Sequence, residues 1–371
     1  MKIHAAVLRS EDKPLDIEEL ELADPALDQV LVRIVGAGHC HTDVLPRAGA
    51  GDTPPIAFGT PPIVLGHEGA GVIEAVGAGV TTVAVGDHVV LSFDSCGKCH
   101  NCRDAHPAYC DTFLARNLGG HGIDGSTPLT DDTGSVVASR WFGQSSFATH
   151  SLVDAKNVVV VDKDLPLELL GPLGCGVQTG AGSVLEVLDV RTGEGIVVVG
   201  VGAVGLSAIM AAKVAGAHPI IAVDLNPVRL DLARELGATH TITAGTGNLT
   251  EQIRAIAPAG VRYGLDTTGL PHVIAATLDA LALRGTLGMV GVQQGDLAIA
   301  PLALTAGRTL TGILEGDVNP QTFIPRLITL WQAGKFPFDR LITTLPLSEI
   351  NSAEERVLAG EIVKPVLLPG A

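Results

Sequence analysis

Four of the chain's six cysteines fall within fifteen residues, Cys96, Cys99, Cys102 and Cys110, in the pattern C-x2-C-x2-C-x7-C. Four thiolates at this spacing fold around one tetrahedral ion, and zinc suits such a closed site. A bacterial iron–sulfur pattern would place the fourth cysteine three residues on and follow it with proline. Here Asp111 follows a seven-residue gap. With four protein ligands, the ion has no position open to a substrate. The other two cysteines are far apart: Cys40 lies in Gly-His-Cys-His-Thr-Asp and Cys175 in Leu-Gly-Cys-Gly-Val-Gln-Thr-Gly. Either alone reads as a small buried hydrophobe. Gly66-His67-Glu68, directly after the strand-like Ile63–Leu65, adds an imidazole. Two thiolates and one imidazole are the donor set of a catalytic zinc with one coordination position left open.

A second constellation handles phosphate. Gly200-Val201-Gly202-Ala203-Val204-Gly205 follows the strand-like Ile196–Val199 and opens a helical stretch, the context in which G-x-G-x-x-G binds a dinucleotide. The first two glycines allow the turn and the approach of backbone to pyrophosphate. Gly205 lets the helix pack on the sheet, and the helix N-terminus presents N–H groups to the anion. Nineteen residues beyond Gly205, Asp224 ends the run Pro219–Val223. There a carboxylate accepts hydrogen bonds from a ribose and repels a 2′-phosphate, which favours NAD over NADP. The alternative for Asp224 is a cap on the helix that Pro227 opens, and Arg229, able to approach a phosphate, weakens the discrimination.

These groups need a scaffold of two kinds. The first half has short valine-containing runs, Val30–Val35, Gly71–Val76 and Gly86–Leu91, between turn signals, and reads as an irregular, mostly β domain. From about Val177 the rhythm becomes strand, helix, strand: Gly195–Val199, a helix after Gly202, Pro219–Val223, a helix over Pro227–Leu236, then His240–Thr243, Val261–Leu265 and Gly285–Gly291. That alternation predicts a doubly wound α/β domain. Asn319 and Pro320 start a helix over Thr322–Ala333 that Gly334 ends. The expected boundaries are 1–176 with the cysteine lobe at 94–112, then 177–315, with 316–371 returning to the first domain.

Composition limits the partners. The 371 residues include 45 glycines and few aromatics, which suits tight βα turns rather than a helical bundle. Forty acidic against 24 basic residues give a net charge of −16, and no Lys or Arg run stands out, so nucleic acid and anionic membrane surfaces are poor partners. Gly195–Ala212 holds 18 uncharged residues, the lower limit for a membrane span, but its glycines divide it into strand, turn and helix start. Arg9, Glu11 and Asp12 interrupt any signal-peptide core, so a cytoplasmic location is expected.

Taken in order, the Cys40 motif, G-H-E-x2-G-x5-G-x2-V starting at Gly66, the four-cysteine lobe, the Cys175 motif and the nucleotide fingerprint resemble the zinc-dependent medium-chain alcohol dehydrogenases over essentially the whole chain. The resemblance implies a GroES-like, mostly β catalytic domain with a structural zinc lobe beside a Rossmann doubly wound parallel sheet. It implies two zinc ions per chain and NAD. Cys40, His67 and Cys175 would hold the catalytic ion and the four-cysteine lobe the structural one. Asp43 and Glu68 would orient the ligands; read without the family pattern, they would be a helix N-cap and a surface carboxylate. Thr42 matches the hydroxyl that accepts the alcohol proton, a capping threonine being the alternative. Leu45 stands where many relatives carry the histidine that passes this proton to solvent, which leaves His41 or water to do so. His41 itself occupies a position where relatives contact the cofactor pyrophosphate. Arg229 would lie against the ribose, Lys364 would contact the pyrophosphate, and Phe93 would wall the substrate pocket or simply fill the core.

Gly312-Ile-Leu-Glu-Gly-Asp317, Phe323-Ile-Pro-Arg-Leu and Phe336-Pro-Phe-Asp-Arg-Leu, with His41 and Leu45, resemble the aryl-alcohol (benzyl-alcohol) dehydrogenase branch. That implies oxidation of aromatic primary alcohols to aldehydes. Aliphatic, terpenoid and glutathione-adduct alcohols are the alternatives within the family, and a non-catalytic zinc- and nucleotide-binding protein the alternative outside it. A homo-oligomer, dimer or tetramer, joined through sheet edges of the nucleotide domain is also implied.

Overall fold

Every residue of Ile196-Val-Val-Val199 is buried, so the strand they form must be covered on both faces. The computed structural model, which describes residues 1–47 and 58–370, meets this with a six-stranded sheet in the order β13 (His240–Thr243), β12 (Ile220–Asp224), β11 (Ile196–Val199), β14 (Val261–Asp266), β15 (Leu281–Met289) and β16 (Thr309–Gly312). All five pairings are parallel. The first strand in sequence sits in the middle, and the chain winds outward from it in both directions. This is the doubly wound order, whose switch point lies at the carboxyl ends of β11 and β14. The glycine turn 200–202 leaves β11 at that point.

Local chemistry fixes the two helices that follow. Ala203–Ala215 starts at Gly202 and ends at Gly216, whose φ of +76° lets its N–H bond back to Ala212 and Lys213. Pro227–Leu236 has Pro227 in its first turn and Asn226 as its cap, the Asn226 side chain accepting from Val228 N–H. The uncharged run Gly195–Ala212 is thus a strand, a turn and a helix start. Among the described residues, no helix is long and apolar enough to cross a membrane.

The chain forms two compact units. The parallel sheet belongs to one, Gly176–Val318 with Leu327–Phe338, and the other comprises Met1–Cys175, Asn319–Arg326 and Asp339–Ala371. The segment 316–371 therefore does not return as one block. Its helix, Pro320–Gln332, is divided between the units after Arg326.

The first unit holds two sheets. One runs β4 (Ile63–Val64), β1 (Lys2–Leu8), β2 (Asp16–Leu22), β7 (Leu129–Thr130), β8 (Val136–Val137). The other runs β10 (Val158–Val161), β6 (His88–Leu91), β5 (Glu68–Val76), β3 (Gln29–Gly38), β18 (Lys364–Leu368), β17 (Ile342–Pro346), with β9 (His150–Asp154) also paired to β3. Two pairings set up the site. Gly38 at the end of β3 lies opposite Glu68 at the start of β5, and Val366 of β18 lies opposite Gly38. The residues just past β3, just before β5 and at the start of β18 therefore converge.

Candidate active site

Cys40 lies where β3 gives way to the 3-10 turn His41–Arg47, and His67 immediately precedes β5. Cys175 ends the turn Gly171–Gly174, which sits on backbone that only glycine tolerates: a Cβ on Gly171 would lie 2.1 Å from Glu68 O, and one on Gly174 2.0 Å from Leu91 O. Ser92 Oγ donates to Gly174 O at 2.7 Å and ties that turn to β6. Ligand atoms of Cys40, His67, Glu68 and Cys175 consequently all fall within 4.8 Å of one another.

Asp43 arranges the histidine. Its Oδ1 accepts from His67 Nδ1 at 2.8 Å, from Gly66 N–H at 3.0 Å and from Trp141 Nε1–H at 3.0 Å, while Oδ2 accepts from Cys40 N–H at 3.1 Å. A carboxylate facing Nδ1 puts the ring proton there, which leaves a lone pair on Nε2. That atom is buried without a hydrogen-bond partner. A buried lone pair beside two sulfurs is the environment of a metal ligand, so the residues present fit a zinc ion with one further position to fill. The Cys40 thiol is pushed well below its ordinary range by a hydrogen bond from Cys175 and by the positive charge of Lys364, against its own desolvation. That favours the thiolate, the form that binds metal.

Glu68 is fully buried rather than on the surface. Its Oε1 accepts from Lys364 Nζ at 2.8 Å, and the same ammonium donates to His39 O at 3.0 Å. Lys364, expected to reach a cofactor phosphate, is only 2% exposed and is committed to Glu68. The reason is the pairing of β18 with β3, which aims the first side chain of β18 into the metal centre. Burial raises the Glu68 carboxyl pKa while Lys364 opposes it, and Glu68 and Cys40 hold the ammonium above its usual range despite burial.

Thr42 Oγ1 is 3.8 Å from Cys40 Sγ. His41 is exposed at the start of the turn, and Leu45 is partly buried within it. Phe93 is buried against Phe113, with ring centroids 5.6 Å apart, so the core contact is the one observed. Sequence reasoning missed Trp141, Phe142 and Gln144. Phe142 stacks on the His67 ring at 4.4 Å, and Gln144 donates to His67 O and accepts from Gly69 N–H. Their chain neighbours have no metal-ligand spacing, so no local pattern marks them.

The four-cysteine lobe closes around a second centre. Cys96 Sγ accepts from Lys98 N–H at 3.4 Å and Cys99 N–H at 3.2 Å, and Cys110 Sγ accepts from Cys96 N–H at 3.2 Å. Gly97, at φ +69°, makes the turn between them. The Lys98 amide, with those of its neighbours, lowers the Cys96 pKa to about 6, whereas burial pushes Cys102 up to about 12. All four sulfurs gather within 4.8 Å, which fits a closed tetrahedral zinc site.

In the second unit, Gly200 has φ +82° and a Cβ on Gly205 would lie 2.0 Å from Gly200 O, whereas one on Gly202 would meet nothing. The helix behind Gly202 has no side-chain cap. An open glycine cradle before uncapped helix amides fits a pyrophosphate. Asp224 accepts from Val201 N–H at 2.7 Å and from Asn226 N–H at 2.8 Å. The helix cap is Asn226, so Asp224 does not serve as one. Arg229 is partly buried on the helix that follows.

Replacing Lys364 by Met would leave the Glu68 carboxylate buried without its cation. Removing one partner of a buried pair costs about 3–5 kcal/mol. Urea unfolding of Lys364→Met should show a loss of that order, and Lys364→Arg a much smaller one. Equal stability of Lys364→Met and the parent would mean that the pair is not what accommodates Glu68.

Residues 26–163 match the alcohol dehydrogenase GroES-like domain family and residues 203–332 the zinc-binding dehydrogenase family. The chain is 46% identical over 370 residues, 98% of its own length and 97% of the relative's, to a geraniol dehydrogenase of Castellaniella defragrans. Its fold matches the crystal structure of an alcohol dehydrogenase zinc-binding domain protein from Burkholderia ambifaria with a TM-score of 0.95 at 48% identity, covering 100% of this chain and 99% of that one. It matches the benzyl alcohol dehydrogenase of Acinetobacter calcoaceticus with a TM-score of 0.93 at 43% identity, covering 99% of each. With two thiol-bearing metal centres in one unit and a dinucleotide turn in the other, the chain belongs to the zinc- and NAD-dependent alcohol dehydrogenases of the medium-chain family.

Proposed function

We propose that this alcohol dehydrogenase oxidises primary alcohols of the benzyl type to aldehydes, with Cys40, His67 and Cys175 holding the catalytic zinc and Cys96, Cys99, Cys102 and Cys110 the structural one. The observation that carries the zinc chemistry is the convergence of two thiols and an imidazole nitrogen within 4.8 Å, on a histidine already held by Asp43, and the likeness to a benzyl alcohol dehydrogenase supports the substrate class. When bound, zinc supplies Lewis acidity at the alcohol oxygen and NAD accepts the hydride. The protein's own groups do the rest. Thr42 Oγ1 takes the hydroxyl proton as the substrate loses hydride from carbon, and its own proton passes on. Leu45 cannot relay it, so the His41 imidazole, exposed one residue away, or water carries it to solvent. Asp224 receives the adenosine ribose hydroxyls, and the glycine cradle with the amides beyond it receives the pyrophosphate.

A second substrate reading has its own support, since one relative is a geraniol dehydrogenase. Benzyl alcohol and geraniol share a CH2OH group on an sp2 carbon, so the aldehyde formed is conjugated. We therefore extend the proposal to allylic terpenoid alcohols. A panel of benzyl alcohol, geraniol, citronellol, ethanol and hydroxymethylglutathione tests it: kcat/KM for benzyl alcohol should exceed that for citronellol and ethanol by at least about tenfold, a difference of about 1.4 kcal/mol in the barrier. Geraniol joining benzyl alcohol would make conjugation the criterion, and preference for ethanol or the glutathione adduct would end the proposal.

Thr42→Val should lower kcat about 10²- to 10⁴-fold, the span of a lost proton acceptor, while zinc content stays at two ions per chain. Unchanged turnover would remove Thr42 from the mechanism. We also propose a homo-oligomer formed through the open edge strand β16, supported by exposed Leu283 within β15 and exposed Leu302 and Leu304 in the segment between β15 and β16. Light scattering that returned the mass of a single chain would exclude it.

A further inference from the structure

Trp141 is wholly buried, and its one polar atom, Nε1, donates to Asp43 Oδ1 at 3.0 Å. An indole has a single donor and no acceptor, so this contact is the whole of its hydrogen-bonding capacity. The same Oδ1 receives His67 Nδ1 and Gly66 N–H. Three donors on one oxygen, with Cys40 N–H on the other, leave the carboxylate no freedom to rotate away from the imidazole.

The backbone around Trp141 is built to hold that position. Phe142, Gly143 and Ser145 have φ of +50°, +68° and +51°, and two of the three are residues for which the left-handed region is unfavourable. Such conformations persist only where the surroundings over-determine them. Here they do. Trp141 N–H donates to Ser145 Oγ, which donates to Val64 O. Gln144 bonds both His67 O and Gly69 N–H, Ser146 N–H donates to Gly66 O, and Phe147 N–H donates to Leu65 O. Phe142 meanwhile stacks on the His67 ring with 23° between planes. The segment from Trp141 to Phe147 thus grips the chain on both sides of His67.

We infer that Trp141 is a positioning residue of the catalytic metal centre, its indole N–H fixing the Asp43 carboxylate that in turn orients His67 toward the metal. The inference rests on the reading of Cys40, His67 and Cys175 as the zinc ligands. A phenylalanine at position 141 would keep an aromatic ring against Phe142 while removing the donor together with part of the buried ring volume. Outer partners of a metal-bound histidine typically contribute about 10- to 100-fold in metal affinity.

The test uses the full-length, zinc-loaded chain. Zinc retained per chain is measured against increasing concentrations of a competing chelator for the parent, Trp141→Phe and His67→Ala, and the thiolate-to-metal absorption band is recorded after cobalt(II) exchange. The four-cysteine ion serves as the internal reference for intact folding. Trp141→Phe should weaken the first site about tenfold or more, shift its cobalt band, and leave the four-cysteine ion in place. Retention equal to the parent with an unmoved band, while His67→Ala loses one ion, overturns the role of Trp141 and leaves the metal site standing. Retention of both ions by His67→Ala overturns the metal site itself.

If Trp141→Phe does not fold, the native protein decides. The chain has only two tryptophans, so its ¹⁵N-indole spectrum has two signals, assigned with Trp331→Phe. The Trp141 signal should move when zinc is withdrawn from the first site and the Trp331 signal should not; a stationary Trp141 signal overturns the inference.

Discussion

Crowding of electron-rich donors is the constraint on which this structure turns. Two sulfurs, an imidazole nitrogen and a carboxylate lie within 4.8 Å of one another, mostly shielded from water. Uncompensated, such a cluster repels itself and loses the solvation of every member. The fold answers with cation and geometry together. Lys364 brings a permanent positive charge against Glu68, Asp43 fixes the imidazole tautomer, and Nε2 is left without a partner in the protein. The remaining imbalance is one that a divalent cation removes, which is why the donor set and its surroundings point to the same chemistry.

The strand ends make that crowding possible. At Gly38 a Cβ would stand 2.1 Å from Glu68 Oε2, so a side chain on β3 would displace the buried carboxylate. Gly171 similarly lets the Cys175 turn rest on the Glu68 backbone. The glycines here act as spacing elements: each removes one Cβ where two chain segments carrying ligands must touch. That role explains part of the glycine content independently of the nucleotide turn.

How much of this was legible in the sequence follows from the range of the interactions. The strand, glycine turn and helix of the nucleotide site lie within twenty residues and were read in place, as was the helix Pro227–Leu236, because proline, glycine and capping residues act locally. The four cysteines belong to the same class. The pairing of Lys364 with Glu68 is not legible, because the two are 296 residues apart and meet through a strand pairing that periodicity cannot reveal. Asp224 offered a capping alternative that Asn226, two residues on, in fact fulfils. Trp141 stood 98 residues from Asp43 with nothing beside it to suggest a metal centre.

The two sites also differ in what they are made of, and this has a consequence for how each tolerates change. The pyrophosphate cradle is mostly backbone: open space at Gly202 and the amides of an uncapped helix, which most side-chain substitutions nearby leave intact. The metal centre is mostly side chain, with Asp43 Oδ1 shared by three donors from two separate segments, Gly66–His67 and the turn at Trp141. Its members are therefore coupled, and their substitutions should not add independently. A variant with a changed Trp141 or Gln144 would alter the metal ligand it supports without touching the metal, while the nucleotide cradle in the other unit would keep its own geometry. Loss of zinc affinity with NAD binding retained is the pattern that this division of materials imposes.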